Sequence, residues 1–347
     1  MSVVKIAKRA GVSIATVSRV MSNSRRVQPE LAQKVRTAIE ELGIAPRQPR
    51  LRERRLASGG KAASTIGIIT IGMEYRQYFT DPVIAAVVAE LTRAAGEQHV
   101  GMLLAEMPDP NVLSRVVEQG QIDGALVLIP SGVDASAADK LARHVPVVRL
   151  MGAHIGPIDQ DQITSDSSSI GFLAAKYLIE KGCKQLAFMT LTPEWTMCRL
   201  RGQGFVAACD GRGLQGRAQA RAYFNASGHL LDHSYGPNAV SGPSWDAVMK
   251  QFHSDRPDGL FVARDSELLE VYRMLAASGI KPGSDIQVIS CDHCEAWLRQ
   301  LEPRPVSIDI NLPDTANAAV ARLISRIAHP DQPILRCLIN PKLPGVA

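Results

Sequence analysis

A handful of polar residues stand where strand-like apolar runs end or helical stretches begin, and together they could hold a hydroxyl-rich small molecule. Asp166 follows the run near Ile163, Asp265 follows 259–262, and Asp292 with His293 follows 286–290. Arg199 and Arg201 precede the helix that carries Gly204-Phe205. Carboxylates accept hydrogen bonds and a guanidinium donates them in fixed pairs, so Asp and Arg in one cleft can grip vicinal hydroxyls. Either type can equally cap a helix or bridge two lobes. Catalysis has no comparable support, since there is no GxSxG elbow, no HExxH and no GxxxxGK[ST] loop. Cys291-Asp292-His293-Cys294 is the one metal-like cluster, but a single thiol pair fits buried apolar packing better than a metal. No catalytic residue, metal or cofactor is expected.

A second chemistry sits at the start of the chain. In residues 3–23, VVKIAKRAGVSIATVSRVMSN, the apolar Ile6, Ala7 and Ala10 recur at helical spacing. Gly11 permits a tight turn, Ser13 suits the N-cap of a second helix, and Val17, Val20 and Met21 form that helix's apolar face. This is a helix-turn-helix pattern. It leaves Ile14, Ala15, Thr16, Ser18 and Arg19 on or near a free face, and such a helix can enter a DNA major groove.

Charge agrees with that placement. The whole chain of 347 residues carries a formal +5, yet residues 1–62 hold 14 Lys/Arg against 4 Asp/Glu, while the rest holds 25 against 30. A basic module on a mildly acidic body points to a polyanion partner for the module alone. The start lacks a signal-peptide pattern, no apolar run approaches membrane-spanning length, and six scattered cysteines make no disulfide framework. The expectation is a soluble, cytoplasmic protein with no membrane role.

Past a polar loop at 22–28, Pro29 can open a third helix whose stripe is Leu31, Val35, Ala38, Ile39 and Leu42, ended by Gly43. Lys5, Arg25, Arg26, Lys34 and Arg36 are candidates for phosphate contact. Residues 46–63, PRQPRLRERRLASGGKAA, read as a basic linker with a conditional helix at 51–58. Leu51 or Leu56 could wedge into a minor groove there, or the segment could be a plain tether.

From Thr65 onward strands alternate with helices. Strands are expected at 65–71, 101–105, 124–129, 145–150, near 163, and at 185–190, 219–224, 259–262 and 286–290. Helices are expected between them at 81–97, 111–119, 135–143, 167–181, 201–213, 243–254 and 265–278. Such alternation implies doubly wound α/β sheets. Roughly ten units exceed one sheet, so two lobes are expected, with a ligand in the cleft beyond the strand ends.

The segments IAKRAGVSIATVSRVMSN (6–23), AIEELGIAP (38–46), STIGII (64–69), QIDGALVLIP (121–130), GFLAAKYLIEKG (171–182), RLRGQGF (199–205) and IQVISCD (286–292) resemble the lactose-repressor and galactose-repressor family of bacterial transcription regulators. The resemblance covers nearly the whole chain. It implies a helix-turn-helix headpiece at 1–48, a linker or hinge helix at 49–63, and a periplasmic-binding-protein-like core at 64–347. Within that core the first lobe is expected at about 64–162 plus 293–324, and the second at 163–292 plus 325–347.

Carried over position by position, the resemblance makes Ile14, Ala15 and Arg19 base readers, with Ser13, Thr16 and Ser18 as backbone contacts or support. Arg25 and Arg26 are added at the phosphates and Leu56 as the minor-groove wedge. Effector contacts are expected from Val83, Ile84, Asp166, Arg201, Asp265, Asp292 and His293, and Trp195, Tyr223 or Trp297 could stack on a sugar face. Some positions depart from the family pattern. Lys5 stands for an acidic residue, Ile44 for an aromatic, Arg47 for Asn, Arg264 for Asn and His293 for a second Asp, and the linker is about two residues longer. The changes near the cleft point to an atypical effector, with an acidic one in view.

The resulting expectation is an effector-responsive repressor of carbohydrate-utilisation genes. It would act as a homodimer rather than a tetramer, on palindromic operator DNA, and answer to a sugar, sugar acid, sugar phosphate or nucleobase. A sugar-binding module without regulation would leave the basic amino-terminal residues unexplained. A carbohydrate-acting enzyme would have only His293 and Asp292 to offer as acid–base neighbours.

Overall fold

The structure, a computed structural model, describes residues 2–21, 28–41, 63–72, 80–129, 136–152, 157–193, 195–210, 219–224, 250, 252–255 and 257–345. Arg25, Arg26, Leu56 and the expected linker helix lie outside the described residues, and so do most of the expected helix at 243–254 and the side chains of Ser18, Arg19 and Tyr223.

Three helices open the chain: α1 (Ser2–Ala10), α2 (Ile14–Met21) and α3 (Pro29–Glu41). Ile6, Ala7, Val17, Val35 and Ala38 bury together, with Ala10, Val12 and Val20 packed against them. The stripe read from helical spacing is therefore the core of this small unit. Gly11 turns the chain between α1 and α2 at φ 63°, a left-handed conformation that glycine adopts without strain. Val12 N then donates to Ala7 O at 3.1 Å. Ser13 caps α2, its Oγ accepting from Thr16 N at 3.0 Å.

The remainder forms a separate unit of two parallel sheets. In the first lobe, β1 (Thr65–Ile71), β2 (Gly101–Met107), β3 (Ala125–Leu128), β4 (Val147–Leu150), β5 (Asp161–Ser165) and β11 (Arg336–Ile339) lie in the order β11-β5-β4-β3-β1-β2. In the second, β6 (Gln185–Thr190), β7 (Gln219–Phe224), β8 (Gly259–Val262), β9 (Gln287–Cys291) and β10 (Val306–Ile308) lie in the order β10-β9-β8-β6-β7. Helices α4 (Pro82–Glu97) and α11 (Leu312–Ala328) cover one face of the first sheet, and α5 (Arg115–Glu118) and α6 (Ser136–Ala142) the other. On the second sheet α7 (Ser167–Glu180) and α8 (Thr196–Asp210) share one face. The opposite face carries α9 (Leu268–Ala277), while α10 (Glu295–Leu298) follows β9.

The α4 sequence shows why these elements form. Val83, Val87, Leu91 and Ala94 recur every three or four residues and are buried, Pro82 opens the first turn, and Asp81 caps it by accepting from Val83 N at 2.9 Å. The helix expected at 111–119 shrinks to α5. Asn111 N donates to Asp109 Oδ1 and Val112 N to Asp109 O, an Asx-type turn around Pro110 that occupies the residues a longer helix would need. Helix α8 begins at Thr196, five residues before the expected start.

The lobe boundaries differ from expectation. Strand β10 joins the second sheet, so residues 293–310 belong with the second lobe. Strand β5, all of α11 and strand β11 belong with the first, so 325–339 return to it. The reason is burial: Ala316, Ala319, Val320 and Leu323 of α11 form one stripe that packs with Ile66, Leu126, Val148 and Ile163. Asp161 on β5 receives Arg322 and Arg326 from α11, each at 2.9 Å. The chain crosses between lobes near 166, 310 and 341, where the crossings are tied together. Ser165 Oγ donates to Ile310 O at 2.6 Å, Asp309 and Lys342 exchange backbone bonds at 2.8 and 2.9 Å, and Asp166 N reaches Ile339 O at 2.9 Å. Among the described residues no helix is long and apolar enough to cross a membrane.

Candidate functional site

Two glycines bring α7 and α8 together. A Cβ on Gly171 would stand 2.0 Å from Arg201 O, and one on Gly204 would stand 2.1 Å from Ser168 O, so only hydrogen permits this approach. Behind them Phe188, Phe205 and Phe261 stack at centroid distances of 5.4 to 6.2 Å. Arg201 is thus seated on a rigid aromatic base, beside the ends of β8 and β9.

Arg201 is almost wholly buried. Its Nη1 donates to Ala263 O at 2.5 Å and its Nη2 to Asp292 Oδ1 at 3.1 Å. Burial opposes the guanidinium charge, and the acidic groups facing it, Asp292 among them, more than offset that and hold its pKa above the ordinary value. Asp292 sits at φ 114° and His293 at φ 51°, both on the positive side that side chains rarely adopt. The strained turn is fixed from below by Asp265. Its Oδ1 accepts from Ser290 Oγ at 2.5 Å and from Ser307 Oγ at 2.8 Å, and its Oδ2 accepts from Cys294 N at 2.7 Å. His293 N in turn donates to Ser307 Oγ at 2.9 Å.

Three of the expected effector contacts are engaged within the protein itself. Asp265 is buried with both oxygens engaged, which makes it a positioning residue for the 291–294 turn. Burial first, and the Asp292 charge second, push its carboxyl above the usual range. Asp166 caps α7 through Ser168 N and Ser169 N, each at 3.0 Å, and its second oxygen takes Ser169 Oγ at 2.7 Å. Ile84 packs into the first lobe's core, whereas Val83 packs with the second lobe's apolar cluster and so lies between the lobes. Arg201 pairs with Asp292 beside the ends of β8 and β9, with His293 next in the chain.

Asp81 and Glu267 were not singled out by sequence as a site, and Arg264 was noted only as a departure from the family pattern. Asp81 Oδ2 faces Arg264 Nη2 across the lobes at 3.5 Å. The Arg264 guanidinium lies over the Trp195 ring, 4.1 Å from its centroid. Glu267, buried one turn on, receives Thr190 Oγ1 at 3.0 Å and Thr192 Oγ1 at 2.7 Å on one oxygen, and burial raises its pKa. The signals were the Asp81-Pro82 pair before an apolar helix, the arginine at 264, and Glu267 as an acid within the helical stretch expected at 265–278.

Burial pushes the Cys291, Cys198 and Cys294 thiols up, and no group of metal-binding residues occurs among those described. The run GRGLQG at 211–216 has the glycine spacing of a dinucleotide loop. It follows helix α8 and precedes strand β7, the reverse of the strand–turn–helix order that chemistry requires.

On the first unit, Ile14 is 53% exposed, Ala15 is exposed and Thr16 half-buried, while Val17 is fully buried. One face of α2 is therefore spent on packing and the other is free. Lys5 and Lys34 are exposed as well.

Residues 3–47 match the model of bacterial regulatory proteins of the lacI family, and residues 175–343 match a periplasmic binding protein-like domain. The chain thus joins a lacI-type helix-turn-helix domain to a periplasmic binding protein-like domain. Curated relatives span its full length. The ribose operon repressor of Escherichia coli (strain K12) is 28% identical over 97% of this chain and 96% of its own. The HTH-type transcriptional repressor PurR of Mannheimia succiniciproducens is 25% identical over 97% and 95%. Among solved structures, the regulator CelR in complex with cellobiose aligns with a TM-score of 0.60 at 22% identity over 99% of this chain and 98% of that one. The lac repressor dimer bound to operator and the anti-inducer ONPF aligns at 0.57 and 20%, over 99% and 97%. These likenesses confirm the two-lobed α/β core and its helix-turn-helix module.

Proposed function

We propose that this chain is a lacI-family regulator, a ligand-controlled, sequence-specific repressor of carbohydrate-utilisation genes, working as a homodimer in the bacterial cytoplasm. The observation that carries the reading is the pairing of two units in one chain. One presents a free helix face headed by Ile14 and Ala15, and the other holds a buried Arg201–Asp292 pair at the strand ends of a two-lobed core. Relatives named ribose operon repressor, and neighbours solved with ribose or cellobiose, support a small polyhydroxylated effector.

In this reading Ser13, Ile14, Ala15, Thr16, Ser18 and Arg19 face the operator's major groove, Arg25 and Arg26 the phosphates, and Leu56 the minor groove. Two headpieces related by a dyad would read a palindromic site. The effector would lie against Val83, Arg201, Asp292 and His293, with the operator and effector sites linked by a coupling free energy.

The test is a fluorescence-anisotropy titration against the DNA upstream of its own gene, at fixed salt and with a panel of sugars, sugar acids, sugar phosphates and purines. Binding tighter than to random DNA and shifted by one compound is expected. A genomic selection that returns no preferred site would overturn the repressor reading.

A further inference from the structure

Two arginines stand at the β8 end of the cleft, and they are not equivalent. Arg201 turns its fork inward, to Ala263 O and to Asp292, with its buried Nε left without a partner. Arg264, which follows Ala263 directly, donates to Asp81 on the opposite lobe at 3.5 Å. That distance is long for a charge-assisted bond, which is usually shorter than 3 Å by about a few tenths of an ångström. The Asp81 carboxylate is also divided. Its Oδ1 is committed to Val83 N as the cap of α4, and its side chain is 30% exposed against 10% for Arg264. At 3.5 Å the pair is loosely held.

The guanidinium is nevertheless held ready. The Trp195 ring lies beneath it at 4.1 Å, which fixes its plane. Glu267, nearby and buried, is engaged by Thr190 and Thr192. Cation, stacking platform and a weakly held internal carboxylate together describe a receptor for an oxyanion that currently holds a substitute.

We propose that Arg264 is the specificity-determining residue of the effector site and binds the anionic group, carboxylate or phosphate, of an acidic sugar derivative, displacing Asp81. This deepens the proposed function and rests on it for the location of the effector. Asp81 then does two jobs. It closes the lobes through Arg264 when no ligand is bound, and it remains the α4 cap when a ligand anion takes its place. Hydroxyl recognition stays with Asp292, whose charge is already balanced by Arg201, so the ligand's negative charge falls to Arg264.

The test is calorimetric titration of the full-length protein with two matched sets: glucose, gluconate, glucuronate and glucose 6-phosphate; and ribose, ribonate and ribose 5-phosphate. One acid or phosphate should bind at least about tenfold tighter than its neutral parent, as a bidentate charged contact supplies. Arg264→Gln should abolish that preference. Asp81→Asn, which can still cap α4, should strengthen anion binding by removing the competitor, a gain that misfolding cannot imitate. Which member wins separates carboxylate from phosphate. The proposal is overturned if neutral sugars bind as well as the anions, if no anion in either set binds, or if Arg264→Gln keeps the wild-type ratio. Operator binding measured on the same preparations separates the two readings. A preferred DNA site with neutral-sugar binding only removes the Arg264 assignment and leaves the repressor. Anion binding without a preferred DNA site does the reverse.

Discussion

Arg201 donates to Asp292 across 3.1 Å with both side chains nearly sealed from solvent, at 1% and 3% exposure. Neither charge can be hydrated, so each depends on the other. Removing the carboxylate leaves an uncompensated buried cation, which typically costs about 3–5 kcal/mol. Asp292→Ala should therefore lower the urea midpoint markedly as well as eliminate the effector response. Asp292→Asn, which keeps an acceptor for Arg201, should lose less stability while still losing most of the response. Equal loss in both variants would show that the charge does not matter at this position.

Gly204 tests the seating of that arginine. Any Cβ there meets Ser168 O at 2.1 Å, a backbone atom that cannot rotate away. Gly204→Ala should force α8 from α7, at a cost of about 1–3 kcal/mol as overpacking of a close interface does. Because Arg201 rides on the same turn of α8, effector affinity should fall more than the stability loss explains. Equilibrium unfolding and calorimetry on the same preparation measure the two effects separately.

Much of this arrangement was legible in the sequence. Strands at 185–190, 219–224 and 259–262 match to the residue, because short apolar runs between clear breakers leave little freedom in their ends. Asp292 was legible for a related reason, since it directly follows a buried strand, and Arg201 as a basic residue beside the Gly204-Phe205 helix segment. The lobe assignment of 293–347 was not legible. Whether α11 joins one sheet or the other depends on which exposed apolar face it covers, and periodicity along one helix is silent on that. The Asp81–Arg264 pair was hidden by a separation of 183 residues and a crossing between lobes. Asp265 misled for the opposite reason: a carboxylate at a strand end looks the same in sequence whether it faces a ligand or three internal donors.

The headpiece separates stability from recognition within three residues. Ser13 caps α2, and replacing such a cap with alanine costs about 1 kcal/mol. Ser13→Ala should lower headpiece stability and weaken binding to every DNA alike. Ile14 is exposed and packs against nothing in the buried cluster, so Ile14→Thr should leave the melting curve unchanged and alter which operator variants are preferred. Thermal unfolding alongside a competition assay on operator variants distinguishes the two. A change of melting temperature with Ile14→Thr would place that side chain in the core.

Asp161 offers a pH signature in the first lobe. It receives Arg322 and Arg326 from α11 and Leu335 N at 2.8 Å, all within a buried site. Burial alone would raise its pKa, but the two arginines and the backbone donor outweigh it and hold the carboxyl below its ordinary 3.8. A carboxyl whose folded pKa lies below its unfolded one stabilises the fold above the unfolded value and ceases to do so as pH falls through the folded value. Wild type should therefore exceed Asp161→Asn in stability by about 2–3 kcal/mol at neutral pH, the scale of a charge-assisted network. That gap should stay constant down to pH about 5 and close progressively below pH 4. Urea unfolding of both proteins from pH 3 to pH 7 measures it. A gap that does not change with pH would mean the carboxylate's charge contributes nothing, and that α11 is held to the first sheet by its apolar stripe alone.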